Sequence, residues 1–342
     1  MTPRSTGFNF VLAAAFALVI LLVSSTAMAQ YAVTKLTSNQ AGQAKHTDSL
    51  LQNGWGIAYA PGNPFWVSDE GSGWSTLYDG QGNPQSLQVV VPAANGGQGS
   101  PSGIAYNGSQ EFQIMNWASA FLFATLDGTI QGWSHFEPSK TLIGVDNSSK
   151  GAVYTGIGVT AHTSGNDLYV ANFTKNTIEM YDARFGFVKS FTDSKVPKGF
   201  APFNVEDING QLYVTFAAIN GGSGGYVDIF KEDGTLVKRL AHGKPLNQPW
   251  GLAIAPKNFG PLSGTLLVAN NVAASTISGF DLKTGKLVGT MKDKNGKAIK
   301  IDGLWGIEFG GGSKANGKTN QLFFAAGPNG EVDGLFGVIN FK

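Results

Sequence analysis

The chain has 342 residues, of which 14% are charged, with 47 glycines, 23 phenylalanines, 7 tryptophans and no cysteine. Abundant glycine and aromatics with sparse charge suit many short buried strands joined by tight turns, and exclude a helical bundle and a disordered chain. The formal net charge of +1, with no basic stripe, excludes the phosphate neutralisation that nucleic-acid binding requires.

The first element is an export signal over residues 1–29. Arg4 supplies the positive start, Phe10 to Val23 is an uninterrupted apolar run, and Ala27-Met28-Ala29 is a small-x-small cleavage site. The run is short for a membrane span, so cleavage before Gln30 is expected, leaving one domain over residues 30–342 with no membrane span. With no cysteine there is neither a lipid anchor nor a disulfide, and the exported fold must rest on its core. A secreted or periplasmic monomer follows.

After the signal, Tyr31–Thr37 alternates as a strand, and then a short phrase recurs six times. It reads Gly54-Trp55-Gly56-Ile57-Ala58-Tyr59, Pro101-Ser102-Gly103-Ile104-Ala105-Tyr106, Tyr154-Thr155-Gly156-Ile157-Gly158-Val159, Pro202-Phe203-Asn204-Val205-Glu206-Asp207, Pro249-Trp250-Gly251-Leu252-Ala253-Ile254 and Leu304-Trp305-Gly306-Ile307-Glu308-Phe309. The aligned positions fall at intervals of 47, 53, 48, 47 and 55 residues. That period, built from short strands, predicts an all-β fold: a six-bladed β-propeller of four-stranded blades.

Each phrase opens an inner strand, and further strands follow it. In the first unit they are Trp55–Ala60, Phe65–Ser68, Trp74–Tyr78 and Ser86–Val91; in the fifth they are Trp250–Ala255, Thr265–Ala269, Thr276–Asp281 and Lys286–Met291. Turns such as Tyr78-Asp79-Gly80 and Phe280-Asp281-Leu282-Lys283-Thr284-Gly285 join the third and fourth strands with Asp and Gly chemistry. In the second unit both Glu111–Met115 and Phe121–Leu126 read as strands, so one belongs to an inserted hairpin. Gly221–Gly225 reads as a flexible loop. The last unit runs out one strand short, and Tyr31–Thr37 is expected to complete it and close the ring.

With Pro64-Phe65-Trp66-Val67-Ser68-Asp69, Phe123-Ala124-Thr125-Leu126-Asp127-Gly128-Thr129-Ile130, Ile301-Asp302-Gly303-Leu304-Trp305-Gly306 and Ala326-Gly327-Pro328-Asn329-Gly330-Glu331, the chain closely resembles a family of exported bacterial six-bladed propellers with no assigned reaction. Some members of that family carry a C-terminal sorting tail; this chain stops at Lys342 without it, which implies a released protein. More distantly it resembles NHL-repeat propellers, which mostly bind partners, and gluconolactonase-type metal-dependent hydrolases.

Candidate site residues follow from blade geometry. Trp55, Phe203, Trp250 and Trp305 share one repeat position at the entry to the inner strand, and Asp69, Asn172 and Asn270 share one at the end of the second strand. Both sets should ring one mouth of the channel, as candidates for ligand binding or for inter-blade packing. Asn204, Glu206 and Glu308 break the rule of small inner-strand residues. Carboxylates there must be hydrated, paired or coordinated, and with Asp69, Asn172 or Asn270 above them they form an all-oxygen set of the kind Ca²⁺ selects. His46, His135, His162 and His242 fall at unrelated points, and Gly221–Gly225, although it matches Gly-x-Ser-x-Gly around Ser223, lacks the strand-to-helix context of a nucleophile elbow. Two readings stand: a propeller binding an unidentified protein or small molecule on one face, or a divalent-cation-dependent, lactonase-like hydrolase with its metal in the channel.

Overall fold

The computed structural model describes residues 1–2 and 30–342, so the expected signal peptide and its cleavage site lie outside the described residues. The described chain is built from mainly antiparallel sheets, in which each copy of the repeated phrase forms an edge strand. Three have four strands in sequence order: Tyr154–Val159 to Phe187–Phe191, Phe200–Asp207 to Leu236–His242, and Pro249–Ile254 to Leu287–Thr290. The strand limits expected from sequence are shifted by one or two residues. An eight-stranded sheet holds the first two phrases at its two edges, Gly54–Tyr59 and Pro101–Tyr106. Its halves meet where Pro84–Val90 runs parallel to Glu137–Asp146, with Lys140 opposite Val90. The expected inserted hairpin is Gln113–Ile114 paired with Trp117–Ala118, a separate two-stranded sheet. Among the described residues no helix is long and apolar enough to cross a membrane.

The last sheet joins the two chain ends. Tyr31–Ser38 pairs antiparallel with Leu335–Phe341, from Tyr31 opposite Phe341 to Ser38 opposite Leu335, and lies outside Gln321–Ala326 and Leu304–Phe309. Leu335–Phe341 would otherwise be an edge strand with unpaired backbone groups.

The phrase explains how the sheets pack. In every inner hairpin the register slips near the start of the phrase, and in the three Trp-Gly copies it does so between Gly54 and Ile57, Pro249 and Leu252, and Leu304 and Ile307. Such bulges bend the strand and re-aim its side chains. The glycines are required because each inner strand abuts the next. A Cβ on Gly56 would stand 2.7 Å from the Ile104 nitrogen, on Gly103 2.8 Å from that of Ile157, on Gly251 2.4 Å from the Trp305 carbonyl oxygen, and on Gly306 2.6 Å from the Trp55 carbonyl oxygen. The core lies between neighbouring sheets: Phe65, Val67 and Tyr78 pack against Phe323, Phe336 and Val338, and Leu266 and Val268 against Val227 and Ile229. Gly306→Ala is therefore expected to destabilise the fold by about 2–3 kcal/mol, because backbone rather than a side-chain tip must yield. Urea unfolding followed by tryptophan fluorescence measures it; an unchanged midpoint would contradict this packing.

Candidate functional site

Four of the expected ligand-binding residues meet on the axis, packed against each other. Trp55 and Trp305 stack with centroids 3.5 Å apart and planes 20° apart, and Trp250 stands edge-on to both at 6.2 and 5.9 Å. Phe203 and Leu126 complete the cluster. The three tryptophans retain 5%, 4% and 2% of their exposure, so their faces are spent on one another rather than offered to a ligand. Two indoles are anchored by hydrogen bonds: Trp250 Nε1 donates to the Thr155 carbonyl across the axis at 2.9 Å, and Trp305 Nε1 to Asn53 Oδ1 at 3.1 Å. Trp55 Nε1 is buried without a partner. The cluster stops the channel at this end.

Asp69, Asn172 and Asn270 do lie at the same end of their strands, opposite Gly54, Tyr154 and Pro249. They are buried, and they do not stand above Glu206 and Glu308 as a shared oxygen set. Asn172 Nδ2 donates to Glu179 Oε1 at 2.7 Å, while its oxygen accepts from Thr174 and Lys175. Asn270 is tied to the Pro245 carbonyl and the Asn247 amide. Asp69 has no partner on either carboxylate oxygen. Burial pushes its pKa well up, with the charge of Asp48 adding to the rise and Thr76 opposing it.

The open part of the channel lies on the other side of the tryptophans. A cavity of about 310 Å³ is floored by Trp250, with Asn204, Glu206 and Glu308 in its wall. Tyr59, Tyr106 and Asp207 also line it. These three end their inner strands, so they sit toward the mouth. The glycine and alanine positions of the other inner strands make the room. Glu206 and Glu308 therefore project into space that small residues leave. Asn204 Nδ2 donates to Glu206 Oε1 at 3.0 Å and to the Trp250 carbonyl at 3.2 Å. The Asn204 oxygen is turned against Gly156, where an added Cβ would lie 2.2 Å from it. The amide thus presents nitrogen to Glu206, and its oxygen does not join the two carboxylates as the third ligand anticipated for Ca²⁺. Among the described residues no group of three or more His, Cys, Asp or Glu side chains is arranged to hold a metal.

Burial raises both lumen carboxyls. Glu308 is pushed up to about 7, with the Phe309 backbone N–H opposing. Glu206 rises well above the usual carboxylate range through burial and then the charge of Glu308, with Asn204 and the Leu252 backbone opposing. Burial and the charge of Glu308 also raise Tyr59. Two half-buried carboxyls that each disfavour ionisation in the other's presence line one cavity, and either protons or an entering positive charge can neutralise them.

The mouth residues Tyr59 and Tyr106 escaped the sequence reading although the signal was present: they are the last residues of the first two phrases. The other candidates are structural or remote. His162 pairs with Glu232 at 3.0 Å on the surface. Gly221–Gly225 connects two strands as a turn, with Gly221 and Gly224 at positive φ.

No protein-family profile matches the chain. It is similar to Uncharacterized protein R648 of Acanthamoeba polyphaga mimivirus, 31% identical over 333 residues, covering 92% of this chain and 81% of that protein. Uncharacterized protein L690 of the same virus is 28% identical over 91% of this chain and 86% of its own length. Uncharacterized protein R640 is 34% identical over 71% of this chain, and only 48% of that protein is covered. These relatives are viral, so the bacterial source implied by the sequence resemblance is not supported. Among solved structures, streptogramin B lyase is similar with a TM-score of 0.55 at 13% identity, covering 93% of this chain and all of that one. Virginiamycin B lyase from Staphylococcus aureus gives 0.54 at 11% identity, covering 92% and 100%. At such identity the likeness establishes the fold, an all-β propeller, and leaves the chemistry to the residues.

Proposed function

The chain belongs to the family of mimivirus protein R648, whose viral members are uncharacterised, and from that premise we propose that it is a six-bladed propeller that binds a small, positively charged ligand in its central channel. Six is supported by the inner strands: Gly54–Tyr59, Pro101–Tyr106, Tyr154–Val159, Phe200–Asp207, Pro249–Ile254 and Leu304–Phe309 pack each against the next, and the last against the first. The eight-stranded sheet then counts as two blades bridged at Lys140 and Val90. In this reading the chain is exported through its N-terminal apolar run and acts as a monomer, secreted or periplasmic.

The observation that carries the function is the pair Glu206 and Glu308 in a channel open at one end. A cation entering there replaces protons that burial has retained, so binding and titration are linked. Ca²⁺ is the first ion to test, and an ammonium group the organic counterpart, satisfied by two carboxylates where Ca²⁺ takes six to eight oxygens. The lactonase-like reading would need the same metal and adds a substrate carbonyl; no geometry favours it over binding alone.

The test is calorimetric titration of CaCl2 and of 1,4-diaminobutane at pH 6 and pH 8. With Glu308 pushed up to about 7 and Glu206 raised as well, affinity should fall at least about tenfold between pH 8 and pH 6, and Glu308→Gln should remove most of the binding. Absence of heat from both probes at millimolar concentration and pH 8 would defeat the proposal. The sign for stability runs the other way. Because the folded protein holds the Glu308 proton more tightly than the unfolded chain, the stability this proton contributes is full below the ordinary carboxylate range. It is lost as the pH rises toward 7. Glu308→Gln should therefore melt higher than the native protein at pH 8 and like it at pH 4.

A further inference from the structure

The hairpin inserted after Pro101–Tyr106 builds a second cleft, which adjoins the channel mouth and shares Tyr106 with it. Its two-residue turn holds Met115 at φ 53 and Asn116 at φ 66, the left-handed pair that such a turn requires, although methionine disfavours that conformation. The turn stands Trp117 beside Phe136, from the loop between Thr129–Ser134 and Glu137–Asp146. Their rings are stacked at 4.6 Å with planes 10° apart, and they stay 49% and 59% exposed. Below them lies a rigid aromatic base: Trp66 stacked on Phe121 at 4.3 Å and against Trp133 at 4.6 Å, with His135 edge-on to Trp133 at 4.7 Å. Together with Tyr106, Gln110 and Ser134 these residues line a cleft of about 770 Å³.

Two features of the lining restrict its ligand. It contains no Asp, Glu, Lys or Arg, so nothing in it neutralises a phosphate, a carboxylate or an amine. Yet it is not purely apolar: the Gln110 amide, the Ser134 hydroxyl and the His135 imidazole border the aromatic surface, supplying donors and acceptors. An uncharged ligand with one C–H face and a rim of hydroxyls matches both, because weakly positive C–H groups rest on the negative face of an aromatic ring while hydroxyls reach the polar rim. A proline-rich peptide needs open slots between aromatic ridges. Here the two exposed rings are closed on each other, so no slot stands open between them and the outer face of the stack is the surface left for a ligand.

We propose that this cleft is a binding site for a neutral saccharide, with the Trp117–Phe136 stack as its platform and Gln110, Ser134 and His135 as its hydrogen-bonding rim. Neither Glu206 nor Glu308 lines this cleft, so the proposal does not rest on a cation in the channel. The experiment titrates full-length protein with cellopentaose, chitopentaose and maltopentaose, and in parallel with a decaproline peptide, by calorimetry up to about 10 mM, which reaches the weakest affinity expected of a specific site. At least one saccharide should bind, the peptide should not, and Trp117→Ala with Phe136→Ala should weaken binding tenfold or more. His135→Ala should weaken it less. Both aromatics are largely exposed, so the double variant should melt as the native protein does, which separates lost binding from lost folding. If no saccharide binds, if the double variant binds equally well, or if only the peptide binds, the proposal is overturned.

Discussion

Removal of Tyr31–Ser38 is expected to abolish cooperative folding of the remaining chain. Apart from a short parallel pairing with His46–Thr47, the strand touches residues far from it in sequence, and it closes the sheet that holds both ends of the domain. Tyr31 donates its hydroxyl to the Phe259 carbonyl at 2.7 Å and packs its ring 5.0 Å from Phe259 and 5.4 Å from Phe341. Thr37 donates to the Gly82 carbonyl, tying the same strand to the neighbouring sheet. Without it Leu335–Phe341 loses its whole pairing partner, from Phe341 to Leu335, and becomes an exposed edge prone to pair with other chains. Light scattering should report association, and urea denaturation should lose its single transition. The point substitution Tyr31→Ala should leave the protein folded but cost about 3–5 kcal/mol, the range for emptying an aromatic site in a core. A truncated chain that unfolds in one transition at the native midpoint would show that closure is dispensable.

Arg239→Ala is expected to cost about 3–5 kcal/mol, the penalty for leaving buried charges without their partner. Arg239 is the cation between two acids from different sheets. Its Nε donates to Asp228 Oδ1 at 3.0 Å within its own sheet, and its terminal nitrogen pairs with Asp193 on the loop after Phe187–Phe191. The guanidinium also lies 4.7 Å from the Tyr226 ring centroid. Both carboxylates are buried, and one Asp228 oxygen has no hydrogen-bond partner. Burial pushes Asp228 up to about 7 in spite of Arg239, with Asp193 adding to the rise. Lysine should not rescue, since one ammonium cannot reproduce the fork that reaches both acids. Replacing all three, Arg239→Met with Asp193→Asn and Asp228→Asn, should recover much of the loss, because no charge then remains buried. Urea midpoints of the three proteins give the answer; equal stability of Arg239→Ala and the native chain would mean that the triad contributes nothing.

The repeat was legible because it is a packing requirement written in residue types. Gly56, Gly103, Gly251 and Gly306 recur where a Cβ would strike the neighbouring inner strand, and the Tyr31–Thr37 strand could be assigned to the chain's end because the last unit lacked one. Asn204, Glu206 and Glu308 could be singled out for the same reason, as departures from small residues, and all three do face the cavity. What the repeat could not convey was which side of the aromatic position is open. Trp55, Trp250 and Trp305 share a register whether they fringe a mouth or fill it, and only the distances between rings distinguish the two. Likewise the direction in which the Asn204 amide points depends on the Trp250 carbonyl, a neighbour 46 residues away. The Trp117–Phe136 platform was hidden for a different cause: its members belong to an insertion and a turn, outside any repeated position.

A channel sealed by three indoles has one door. A ligand taken up as proposed, and the water it displaces, would pass each other between Tyr59, Tyr106 and Asp207, so loading and emptying would follow a single route in opposite directions. Extensions to a ligand are then tolerated only at the end that trails outward, and a molecule with a bulky group at each end is refused whichever way it turns.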